Sequence, residues 1–114
     1  MIYEGEEHSI LEFTDRAFVV NGFSKLYAMT GWRLGYVIAP HEYIRAMQIM
    51  QQNFFICASS FAQEGGIAAL RECEQEVKQM VDIYNERRLY LLQRLKALGI
   101  ATRHDPVGAF YALA

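Results

Sequence analysis

The segment Asn21-Gly22-Phe23-Ser24-Lys25-Leu26-Tyr27-Ala28-Met29-Thr30-Gly31-Trp32-Arg33-Leu34-Gly35-Tyr36 sets one lysine and one arginine in a glycine-punctuated turn between two apolar runs. The run before it, Ala17-Phe18-Val19-Val20, is short, apolar and β-branched and is ended by Asn21-Gly22, which predicts a buried strand feeding a loop. The run after it, Leu34 to Ala39, predicts a second buried strand closed by Pro40, a residue suited to opening a helix. The turn therefore leaves the carboxyl end of a strand, the place where open α/β sheets receive ligands. Two residue types in it carry chemistry. A lysine amine shifts its pKa readily when desolvated and then offers a neutral nucleophile, and an arginine presents a planar fork that meets a phosphate bidentately.

Taken with Gly22, Phe23, Ser24, Ala28, Met29, Gly31, Leu34 and Gly35, the spacing of Lys25 and Arg33 closely resembles the lysine signature of the class I/II aminotransferases, fold type I enzymes that use pyridoxal 5′-phosphate (PLP). The resemblance implies that Lys25 is the Schiff-base lysine and Arg33 the phosphate clamp. Ser24 is a further cofactor-binding residue on this reading. Many relatives carry the phosphate-binding hydroxyl three residues before the lysine, where this chain has Gly22, so the Ser24 hydroxyl either touches the cofactor or caps the turn. On spacing alone a lysine near an arginine marks a solvated face, and the assignment rests on the whole pattern. Tyr27, Met29 and Trp32 read as packing residues.

The other side chains narrow the function classes. With 11 basic and 13 acidic residues the formal charge is −2, and no basic stripe points to nucleic acid or an anionic membrane. Cys57 and Cys73 form no CxxC pair, and His8, His41 and His104 share no ligand spacing, so no metal site is expected and reduced thiols in a cytoplasm are the default. Residues 1–7 lack the basic region and apolar core of a signal peptide.

Beyond the loop, Tyr43, Ile44, Met47 and Met50 recur at helical spacing from His41 to about Gln52, predicting a helix that covers the sheet. Ser60 and Gln63 have the spacing of a capping box ahead of a helix over about 61–72. Gly65-Gly66 weakens that helix by roughly 1 kcal/mol per glycine relative to alanine, which argues for close packing against a neighbour rather than a hinge. From Glu74 to Leu98 a long amphipathic helix is expected, with Gly99 as its C-cap. Ile100 to Arg103 and Ala109 to Ala114 read as two strands around a breaking turn. There Pro106-x-Gly108-x-Phe110-Tyr111 resembles the family's element at the start of its small domain.

The expected fold is α/β: part of a PLP fold type I large domain, a sheet with flanking helices, leading by a long helix into the start of a small α+β domain. Residues 1–75 would form the C-terminal part of the PLP-binding large domain, and 76–114 the linking helix and the beginning of the small domain. The family's glycine-rich phosphate turn, its Asp-x-x-Tyr segment and its substrate-carboxylate arginine are not recognisable, so the chain reads as an internal fragment, and the resemblance implies that its longer parent is a PLP-dependent transaminase acting on an amino acid and a 2-oxo acid as a cytoplasmic homodimer. Two alternatives stand beside it: another fold type I PLP enzyme such as a carbon–sulfur lyase, or a non-catalytic truncated product.

Overall fold

The computed structural model describes residues 1–113. Strand β1 (Val19–Gly22) and strand β2 (Gly35–Ile38) are followed by helices α1 (His41–Phe54), α2 (Ser60–Glu72) and α3 (Glu74–Ala97), with short 3-10 turns at Ile10–Glu12 and Thr30–Trp32. The chain divides into two compact units, His8–Glu74 and Met1–Glu7 with Gln75–Ala114.

In the first unit β1 and β2 pair antiparallel, in register from Val19 opposite Ile38 to Gly22 opposite Gly35. Asn21 and Gly22 are therefore the last two residues of the strand. Glycine is needed at this rung: a Cβ on Gly35 would stand 3.1 Å from the Asn21 carbonyl oxygen. The expectation of two buried strands is corrected, since only Val19 and Gly22 of β1 are half-buried and β2 is exposed throughout. A two-stranded ribbon buries side chains only where another layer lies on it. The helix expected to supply that layer, α1, contains no fully buried residue, although Tyr43 stacks at 5.2 Å on Phe18 just ahead of β1.

Deep burial lies instead between the β1–β2 loop and α2. Phe23, Met29 and Ala69 are 4%, 7% and 6% exposed, and Tyr27 and Leu34 pack against them. The buried positions of α2 are Ala62, Gly66 and Ala69, small residues at helical spacing that form a low face for the loop to approach. A Cβ on Gly65 would lie 2.5 Å from the Trp32 ring, and one on Gly66 would lie 2.5 Å from Leu34 Cδ2 and 3.3 Å from Phe23 Cζ. The glycine pair is thus a packing contact. The capping box expected at Ser60 does not form: the N-cap is Ser59, which makes no side-chain bond, and Gln63 Nε2 donates to the Ala58 carbonyl at 2.8 Å. A complete capping box occurs at Ser9 and Glu12 around the first 3-10 turn.

In the second unit α3 ends in a Schellman motif. Gly99 takes φ +73°, its N–H donates to the Lys96 carbonyl, and the Ile100 N–H donates to the Leu95 carbonyl. The two strands expected over 100–103 and 109–114 are corrected to a single antiparallel bridge between Ile2 and Gly108, with Ala114 outside the described residues. The Val107 carbonyl receives the N–H groups of Tyr3 and Glu4, and the Ala109 N–H donates to the Met1 carbonyl, so the opening residues take the bonds a hairpin would use. Arg88 ties these segments together: it pairs with Glu4, donates to the Pro106 carbonyl at 2.8 Å and to Asn85 Oδ1 at 2.9 Å, and lies 5.3 Å from the centre of the Tyr3 ring.

Candidate active-site loop

The loop joining β1 to β2 begins where the Phe23 N–H donates to the Leu34 carbonyl at 3.2 Å, one step beyond the Gly22–Gly35 rung. The Phe23 side chain faces Tyr27 and Tyr36, with ring centres at 5.4 and 5.5 Å. Its carbonyl receives the N–H groups of Tyr27 and Met29. Phe23 is in this way an anchor by both side chain and backbone, and the residue that follows it with an ionisable group, Lys25, sits on the turn it holds.

Lys25 is solvent-exposed, and its carbonyl accepts the Ala28 N–H at 3.3 Å. Ala28 and Arg33 both adopt φ +53°, a left-handed conformation that costs a non-glycine residue about 1 kcal/mol or more. These two residues bracket the Thr30–Trp32 turn, and Arg33 is its C-cap. The strain marks a shape that packing on Phe23, Met29 and α2 enforces. Arg33 is exposed, and its Nη1 donates to the Thr30 carbonyl at 2.9 Å, which uses one of the five guanidinium N–H groups.

Lys25 and Arg33 therefore lie on one loop at the carboxyl end of β1, as the sequence pattern predicts. Ser24 is half-buried and enters through its carbonyl, which accepts the Thr30 hydroxyl at 2.9 Å. Sequence reasoning assigned no role to Thr30. The available signal was a hydroxyl beside Gly31 at the start of a tight turn, where Ser and Thr side chains commonly bond nearby backbone. A cavity of about 180 Å³ in the second unit, bordered by Tyr3, Tyr84, Leu91 and Phe110, contains none of these residues. Among the described residues no group of His, Cys, Asp and Glu is placed to hold a metal ion, and no helix is long and apolar enough to cross a membrane.

A lysine amine and a guanidinium with unused donors, both accessible and on one anchored loop, form a donor set suited to a small molecule that carries an aldehyde and a phosphate. The family profile of aminotransferase class I and II matches residues 2–114. An aspartate aminotransferase of Sulfurisphaera tokodaii is 43% identical over 113 residues, which cover 96% of this chain and 28% of that protein. A (5-formylfuran-3-yl)methyl phosphate transaminase of Methanocaldococcus jannaschii is 41% identical, over 97% of this chain and 31% of that one. The crystal structure of a mutant aspartate aminotransferase of Thermus thermophilus superposes with a TM-score of 0.90 at 36% identity, covering 97% of this chain and 31% of that structure. The architecture is accordingly part of an α/β aminotransferase fold, and the chain spans about 30% of the length of such relatives. Loop, helices and sequence agree along nearly the whole of its length, and the chain belongs to the class I and II aminotransferase family.

Proposed function

We propose that this chain supplies the lysine loop of a PLP-dependent aminotransferase that moves an amino group from an amino acid to a 2-oxo acid. The observation that carries the reading is the placement of Lys25 and Arg33 on one strained, core-anchored loop at the carboxyl end of β1. The residues fit the cofactor: Lys25 offers an accessible amine for its aldehyde, and Arg33 retains donors for its phosphate. When bound, PLP supplies an electron sink for the electron pair left behind as the substrate loses its α-proton.

Arg33 would hold the phosphate, for which a guanidinium offers paired N–H donors. With the cofactor bound, the Lys25 Nζ would be the group that takes the proton from the substrate α-carbon as a general base. Ser24 would offer its hydroxyl to the cofactor. Aspartate is the first amino acid to try, because the relatives from S. tokodaii and T. thermophilus are named for it. In the same reading residues 1–75 belong to the PLP-binding large domain and 76–114 to the linking helix and the start of the small domain. The assembled enzyme is a cytoplasmic homodimer, a location that suits the free thiols of Cys57 and Cys73.

Mixing the chain with PLP, reducing with borohydride and mapping peptides by mass spectrometry tests the assignment. A phosphopyridoxyl group on Lys25, absent from Lys25→Ala and diminished in Arg33→Ala, is the expected result. Labelling spread over Lys78 and Lys96 and unchanged in Lys25→Ala would refute it.

A further inference from the structure

We propose that Thr30 is a positioning residue that holds the Lys25 and Arg33 sides of the loop in one conformation, a role that rests on the cofactor reading above. Its hydroxyl donates to the Ser24 carbonyl at 2.9 Å, across six residues, and so grips the peptide unit that leads directly into Lys25. Its own carbonyl receives Arg33 Nη1, also at 2.9 Å. One residue thus touches the immediate neighbour of the lysine with its side chain and the arginine with its backbone.

The need for such a strap follows from the local backbone. Ala28 and Arg33 both stand at φ +53° on either side of the Thr30–Trp32 turn, and strained residues of this kind persist only where surrounding contacts over-determine them. The base of the loop is closed by Phe23 and Leu34, and its middle is drawn inward by Met29, which is 7% exposed. Thr30 adds the tie between the outer part of the turn and the residue before Lys25. Fixing the Thr30 hydroxyl also fixes the orientation of the carbonyl that receives Arg33. An exposed neutral hydrogen bond of this kind is worth roughly three- to tenfold in an equilibrium constant. Its loss therefore loosens the loop without unfolding the unit, whose core is Phe23, Met29 and Ala69.

Thr30→Val preserves the branched shape and removes the donor, whereas Thr30→Ser preserves the donor, so the pair separates hydrogen bonding from packing. Amide hydrogen exchange without cofactor should speed up roughly three- to tenfold at Leu26 to Ala28 in Thr30→Val and stay within about twofold of the parent in Thr30→Ser. The half-saturating PLP concentration for borohydride-fixed labelling at Lys25 should rise by the same factor in Thr30→Val and be restored in Thr30→Ser, with both variants folded by circular dichroism. If the parent labels at Lys25 and Thr30→Val matches it, the positioning role is overturned while the site stands. A serine variant as impaired as the valine variant overturns it too, because the hydroxyl is then not what matters. A parent that does not label at Lys25 overturns the cofactor reading, and the exchange rates then decide separately whether Thr30 holds the loop.

Discussion

Gly66→Ala puts the packing of the loop on α2 to a quantitative test. Alanine is favoured over glycine inside a helix by about 1 kcal/mol, so a helix with open space at this position would become more stable. Gly66 has no such space: the new methyl would fall 2.5 Å from Leu34 Cδ2 and 3.3 Å from Phe23 Cζ. Leu34 has to retreat by roughly 1 Å to restore ordinary carbon contact, and Phe23, only 4% exposed, blocks the methyl's other side. Overpacking of this size costs about 1–3 kcal/mol, which leaves a net destabilisation of up to about 2 kcal/mol after the helix gain.

Urea unfolding followed by circular dichroism measures that net value, and repeating it with Leu34→Ala isolates the contact. Once Cδ2 is gone, Gly66→Ala should become neutral or stabilising, giving a coupling of about 1–2 kcal/mol between the two positions. A Gly66→Ala chain more stable than its parent by the full propensity difference, with the same effect in both backgrounds, would refute the claim that this glycine exists to let the loop approach.

Gly65→Ala meets the ring of the chain's single tryptophan, Trp32, which is 48% exposed and can swing outward, so its expected signature is red-shifted fluorescence with a stability change within about 1 kcal/mol. Gly99→Ala should cost about 1 kcal/mol by urea unfolding, because Gly99 stands at φ +73° with nothing within 4 Å of a new Cβ, while Gly99→Asn should cost less. Arg88→Ala removes charge-assisted bonds to Glu4 and the Pro106 carbonyl and should cost about 2 kcal/mol, with faster amide exchange at Tyr3 and Ala109; Arg88→Lys should not restore them. Burial raises the Tyr3 phenol above its ordinary value of 10.0, helped by Tyr84 and opposed by Arg88. A raised acid favours the neutral folded form, so this contribution is complete below about pH 10 and is lost as pH rises through the raised value. Urea midpoints should therefore fall more steeply above about pH 10 in the parent than in Tyr3→Phe.

The parts of the fold legible in the sequence are those governed by local rules. The span of α3 and its stop at Gly99 follow from helical periodicity and from the one residue type that adopts φ +73° readily. The placement of Lys25 and Arg33 on one loop was readable because two apolar runs flank them, whereas their proposed roles rest on the resemblance of the whole pattern. The burial of β1 and β2 was not readable, because apolar side chains state what a strand can bury and the neighbouring layer decides what it does bury. The strands expected after Gly99 failed for a related reason: residues 1–4, about a hundred positions away, take the hydrogen bonds at Val107 and Ala109. Thr30 escaped notice since its partner is a carbonyl, and every residue has one.

Gly65-Gly66 shows how a local misfit can locate a site. Two glycines inside α2 give up roughly 2 kcal/mol of helix propensity, and a tally of helix formers counts them only as a weakness. Their placement opposite Trp32, Leu34 and Phe23 gives that loss a purpose: it brings the helix axis close to the loop that carries Lys25 and Arg33. A loop with two left-handed non-glycine residues needs a rigid backing, and a helix face built from Ala62, Gly66 and Ala69 supplies one without side chains long enough to push the loop away. The strain in the loop and the missing side chains on the helix are therefore two halves of one arrangement, and local rules break in both at the place where the chemistry is proposed to occur.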